Sequence, residues 1–157
     1  MRLSIKDYIN DLKSEKYRAS IIFSSDEYQV SSFMKEASTK LGAKYIDLMN
    51  LFSDNPELYN GLDVFNTTKL AELLKKQTAR EKIVFIDQIS FLWDTWNDSE
   101  KKKFLTMIEK QWNSFYKGNQ ATLIFNLPPD YILSNTSITD TKGNSRIKEL
   151  TEFSAII

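Results

Sequence analysis

Apolar residues fall into two rhythms along this chain, short unbroken runs and runs spaced three or four apart, and the two alternate. Unbroken runs mark strands buried on both faces, while i, i+3, i+4 spacing marks amphipathic helices. Ile5, Tyr8, Ile9 and Leu12 predict a short helix ending before Arg18, and Ala19–Phe23 (ASIIF) predicts a strand. From about Asp26, the positions Val30, Phe33, Met34, Ala37 and Leu41 predict a helix that Gly42 stops. Tyr45–Phe52 predicts a second strand, and Asp54–Gly61 a capped helical turn with Pro56 in its first turn. Asn66–Ala79 predicts a helix with Leu70, Leu73 and Leu74 on one side, followed by the buried strand Lys82–Gln88, KIVFIDQ. A helix from about Asp98 to Tyr116 would bury Phe104, Leu105, Ile108, Trp112 and Phe115, with Gly118 closing it. Ala121–Leu127 (ATLIFNL) predicts a fourth strand stopped by Pro128 and Pro129. A polar loop through Asn144 leads to Arg146–Ile157, whose last residues are the candidate for an edge strand.

Strands alternating with helices of ten or more residues imply right-handed crossovers, and so an α/β fold with a three-layer, mostly parallel sheet. At 157 residues, with no internal repeat or linker, the expectation is one domain over 1–157. Many unrelated functions share that architecture, so function must come from particular residues.

Composition removes several possibilities. Lys plus Arg and Asp plus Glu both number 21, so no global positive field draws in nucleic acid, whose involvement would be indirect. The chain has no His and no Cys, which excludes Ser–His and Cys–His nucleophile pairs and the usual zinc sites. Any metal would be a hard cation on oxygen ligands. With no signal peptide and no apolar span near the roughly 20 residues a bilayer requires, the expectation is a cytoplasmic protein without a membrane partner.

Asp87 ends the KIVFIDQ run abruptly. Ligands of open parallel sheets bind beyond the carboxyl ends of the strands, where a carboxylate can hold Mg²⁺. A hydrophobic strand ending in Asp has the form of a Walker B element; a buried strand followed by a solvated turn residue gives the same pattern. The order of elements resembles the additional-strand (ASCE) class of P-loop ATPases, which includes AAA+ and RecA-like domains. In that class a first strand leads into the phosphate loop, a later one ends in the Walker B Asp, and the next ends in a polar sensor. The resemblance implies that Ala19–Phe23 is the first of these, that Asp87 is the Walker B carboxylate, and that Asn126 is the sensor near a γ-phosphate. With DQISFLWD after the Walker B strand, the chain also resembles the BrxF family of small P-loop proteins of BREX phage-defence systems.

The phosphate loop departs from that class. Walker A glycines let backbone N–H groups turn inward, a Lys reaches the β/γ-phosphates, and a Ser or Thr holds Mg²⁺. Here Ser24 and Gln29 fill the glycine positions, Val30 falls at the Lys, and Ser31 alone keeps its expected type. Every side chain other than Gly narrows the conformations that form a cradle. Asp26 and Glu27 would face the phosphates, and a pair of unit charges 4 Å apart is worth about 1 kcal/mol in water and about 4 at an effective dielectric of 20. That repulsion offsets a helix dipole worth at most about 2 kcal/mol. Ser24 and Glu27 instead have the spacing of a capping box. Gln88 stands where many of these ATPases carry a Glu, and an amide cannot act as a general base.

Other residues carry two readings each. Lys101, Lys102, Lys103 and Lys110 form a solvated helix face or a basic patch. Trp93 and Trp96 pack in the core or anchor an interface, together with Pro128, Pro129 and Tyr131 after the Asn126 strand. Asp63, Asp87 and Lys69 contain the residue types of a metal nuclease, although nothing in their spacing requires one. Arg146 is a surface residue or a phosphate sensor. The expectation is therefore an accessory or scaffold subunit with a degenerate nucleotide site in a larger protein assembly, with antiphage defence as the setting the resemblance implies. The enzyme alternative is a weak or partner-completed ATPase binding ATP and Mg²⁺ through Ser31, Asp87 and Asn126 at a subunit junction. A third is a clamp-loader-like structural subunit in DNA replication or repair.

Overall fold

The apolar runs assemble into one five-stranded sheet in the computed structural model, which describes residues 2–112 and 121–154. The strands are β1 (Ala19–Phe23), β2 (Lys44–Asp47), β3 (Ile83–Asp87), β4 (Thr122–Asn126) and β5 (Ile147–Glu149). They lie in the order β2-β3-β4-β1-β5, and all four pairings between these strands are parallel. The sheet is covered on both faces, which is why β1, β3 and β4 read as unbroken apolar runs. Helices α1 (Ile5–Leu12) and α2 (Glu27–Leu41) pack on one face against Ile22, Phe85 and Ile124. The other face holds Ile21, Ile46, Val84, Ile86, Leu123 and Phe125. It is covered by α3 (Leu48–Ser53), α5 (Thr67–Gln77), α6 (Ser90–Trp93), α7 (Asp98–Lys110) and α8 (Tyr131–Ser134), with α4 (Pro56–Asn60) at its margin.

Four expectations change. The second strand stops at Asp47, whose Oδ1 accepts from Asn50 N at 3.0 Å and caps α3, so Leu48–Ser53 is helical. The helix expected to reach Tyr116 ends at Lys110; Trp112 folds back, its Nε1 donating to Ala121 O at 2.7 Å, while Phe115 and Gly118 lie outside the described residues. The edge strand occupies Ile147–Glu149, at the start of the segment, whose last residues, 155–157, lie outside the described residues. The capping box is absent at α2. Asp26 is the cap, its Oδ1 accepting from Tyr28 N at 3.0 Å, and Ser24 Oγ accepts from Asp26 N at 3.1 Å. Glu27 thus falls at the first helical position, too early to close a box. Asp26→Lys removes the cap and reverses its charge, and a thermal melt should show a loss of about 1 kcal/mol. Unchanged or raised stability would remove Asp26 from this role.

Arg146 is neither a surface residue nor placed to sense a phosphate. It is 3% exposed at the amino end of the sheet. Nη1 donates to the carbonyls of Tyr17, Ala19 and Ile108, each at 3.0 Å, Nη2 to Glu109 O at 2.7 Å, and Nε to Thr139 O at 3.2 Å. Burial pulls its pKa below the ordinary arginine value. Two of its acceptors lie in the last turn of α7, where the helix dipole favours a cation.

Candidate functional site

Crossover direction sets where a crevice can open. After β1 the chain passes to the α1/α2 face, and after β4 it passes to the opposite face through α8. Because β1 and β4 are neighbours, their carboxyl ends form a topological switch point, with the end of β3 beside it. Asp87 has the parity of Phe85, and Asn126 that of Ile124, so both side chains join the α2 face. Ser31, in the second turn of α2, comes down onto them.

The residues expected at a nucleotide site, Ser31, Asp87 and Asn126, therefore converge. Asn126 Nδ2 donates to Asp87 Oδ1 at 2.9 Å and lies 3.5 Å from Ser31 Oγ. Gln88 Nε2 approaches Ser31 Oγ at 3.4 Å. Asp87 is fully buried, and its Oδ1 also accepts from Gln88 N at 2.8 Å. Its other oxygen accepts from the hydroxyl of Tyr45 on β2. Burial first, and then that bond to the carboxylate, hold the Tyr45 phenol well above its ordinary pKa, so it stays a donor at neutral pH. Three donors of the chain itself thus engage Asp87. Gln88 has φ +62°, the one non-glycine residue with positive φ among the described residues, and such a conformation costs on the order of 1–2 kcal/mol.

The α2 N-terminus is likewise closed by the chain itself. Asp26 takes the Tyr28 N–H, and the Glu27 carboxylate accepts from Ser90 Oγ at 3.0 Å. A phosphate there would meet two carboxylates and no glycine cradle. Among the described residues no group of three or more acidic side chains is gathered to hold a metal. The donor set does not fit Mg-ATP. At this site one polar atom is left over: Asn126 Oδ1 is buried and has no hydrogen-bond donor among the described residues.

The remaining candidates separate. Trp93 and Trp96 are 1% and 8% exposed, so the expected tryptophan interface is corrected to core. Trp93 packs edge-on to Phe104 and donates Nε1 to Asp130 Oδ2 at 2.9 Å; Trp96 donates to Phe65 O at 3.0 Å. Both lie one helical turn apart, facing inward from α6 and its end. Tyr131 is exposed, and its hydroxyl donates to Asp98. Lys101 sits over the Trp93 ring and pairs with Asp130 at 3.5 Å, and Lys103 lies 3.8 Å from Glu100, which breaks up the basic run. Asp63 and Lys69 are exposed before β3 and are not partners of Asp87. Sequence reading missed Tyr45; its one signal was an aromatic at strand parity with Asp47 beside the Asp87 strand.

No family model matches this sequence, and no curated protein matches it. Among the described residues no helix is long and apolar enough to cross a membrane.

Proposed function

We propose that this chain is a non-catalytic docking subunit built on an additional-strand P-loop fold, acting within a larger protein assembly. The arrangement of β4 between β1 and β3, with Asp87 and Asn126 at neighbouring strand ends, supports the fold relationship. The observation that carries the functional half is the self-satisfied carboxylate. Asp87, the residue that would hold Mg²⁺, is bonded to Tyr45, Gln88 and Asn126, while Asp26 and Glu27 occupy the place of the phosphates. Filling a ligand site with internal bonds keeps the scaffold and removes the chemistry. The similarity of DQISFLWD to BREX P-loop proteins supports an antiphage-defence assembly as the setting.

Calorimetric titration of the purified chain with Mg-ATP tests this. The expected result is no measurable binding and no hydrolysis. A micromolar dissociation constant that weakens in Asp87→Asn, a substitution that keeps the side-chain shape, would overturn the reading in favour of an ATPase.

A further inference from the structure

The charges of this chain cancel in number but not in space. In a parallel α/β fold the segments following the strands gather at one end. Here residues 24–34, 47–53, 87–100 and 127–134 contain no Lys or Arg. Besides the buried Asp87 and Glu100, which accepts from Thr67 N, they carry Asp26, Glu27, Asp47, Asp94, Asp98 and Asp130. The segments leading into β1, β2 and β3 are basic, with Lys13, Lys16 and Arg18, then Lys40 and Lys44, then Arg80 and Lys82. Lys101, which reaches the acidic end from α7, is already paired with Asp130, and Lys35, just past the first segment, lies 5.8 Å from the centroid of the Tyr45 ring.

Helix capping does not require this, although the helix dipole favours carboxylates in the first turns of α2 and α7. A cap needs an acceptor oxygen, which a neutral side chain supplies as well. Asn66 and Asn97 do so for α5 and α7, accepting from Lys69 N and Glu100 N. Asp26, Asp47 and Asp130 therefore carry charge beyond what their caps require, and Glu27, Asp94 and Asp98 cap nothing in this way. The same end exposes Tyr28, Met49 and Tyr131, at 82%, 47% and 61%. A cleft of about 240 Å³ lies beside it, with Phe23, Leu133 and Ile147 among its apolar walls and Asp130 and Ser134 at polar positions. Beneath this end, the buried Asn126 Oδ1 has no donor among the described residues.

We infer that the carboxyl end of the sheet is a docking surface for an arginine- or lysine-bearing segment of a partner protein. Carboxylates and tyrosine faces both attract guanidinium and ammonium groups, and an apolar cleft accepts their methylene stems. A polyanion such as DNA is repelled by the same surface. This inference rests on the docking-subunit reading and names the chemistry of the partner.

The probe is a fluorescein-labelled poly-arginine peptide, followed by anisotropy with the intact chain. Binding should weaken with salt, and Asp26→Asn with Asp98→Asn should weaken it by about tenfold. Glu36→Gln with Glu72→Gln, on exposed outer helix faces, should leave it unchanged, with circular dichroism checking both pairs. Equal weakening by both pairs, no peptide binding, or preferential capture of single-stranded DNA would overturn the inference. Salt-sensitive self-association in sedimentation, competing with the peptide, would assign the surface to a second copy and overturn it too. If the peptide fails and Mg-ATP also fails to bind, only the cationic partner is lost. If Mg-ATP binds and displaces the peptide, the docking-subunit reading falls.

Discussion

Arg146→Met should cost about 3–5 kcal/mol, enough to unfold a large share of an ordinary domain, because it leaves several buried carbonyls without a donor. The methionine refills part of the volume, so the loss measures the hydrogen bonds more than the packing. Those bonds tie residues distant in sequence: Tyr17 and Ala19 before and in β1, Ile108 and Glu109 at the end of α7, and Thr139. Arg146→Lys should recover little, since an ammonium on a flexible stem cannot copy a planar fork that reaches carbonyls on several sides. Urea unfolding of both variants checks this. A lysine variant as stable as the parent would show that charge alone, and not the fork, holds the amino end together.

Trp93→Ala should lose about 3–5 kcal/mol by cavity formation, with the Asp130 carboxylate losing its indole donor as well. The ring lies between Phe104 and Trp96, and Lys101 crosses its face at 5.2 Å. Trp93→Phe keeps most of the apolar filling and should cost less, about 1–3 kcal/mol, chiefly for the lost indole bond, since Lys101 stays beside Asp130 Oδ2. Denaturant melts of the two variants separate filling from hydrogen bonding. A Trp93→Ala chain that melts like the parent would return this ring to the surface and restore the interface expectation.

What was legible in the sequence depended on how local its cause is. β1, β3 and β4 announce themselves because burial on both faces demands an unbroken apolar run of strand length. The end of β2 did not, because Leu48, Leu51 and Phe52 suit a strand or a helix over so short a span. The deciding group was Asp47, whose side chain caps the helix that follows. Ser31, Asp87 and Asn126 could be brought together on paper, since strand order and strand ends imply their proximity. Tyr45 could not, because its bond to Asp87 depends on the register between β2 and β3. Arg146 was least legible of all. Its acceptors lie as far as 129 residues away, and a lone arginine in a polar segment gives no local sign of burial. The tryptophans misled through their neighbours: Asp94 and Asn97 are exposed, yet Trp93 and Trp96 on the same turn face inward.

The position of β1 between β4 and β5 has a consequence for the birth of the protein. The first of these five strands to leave the ribosome has both of its pairing partners among the later ones, with β4 beginning about 100 residues downstream. At translation speeds of about 5–20 residues per second, the ASIIF segment waits roughly 5–20 seconds with its backbone unpaired. Such a contact-order-heavy centre folds late, after most of the chain is present. During that interval a short, apolar, uncharged segment is a target for chaperones and a hazard for misassembly.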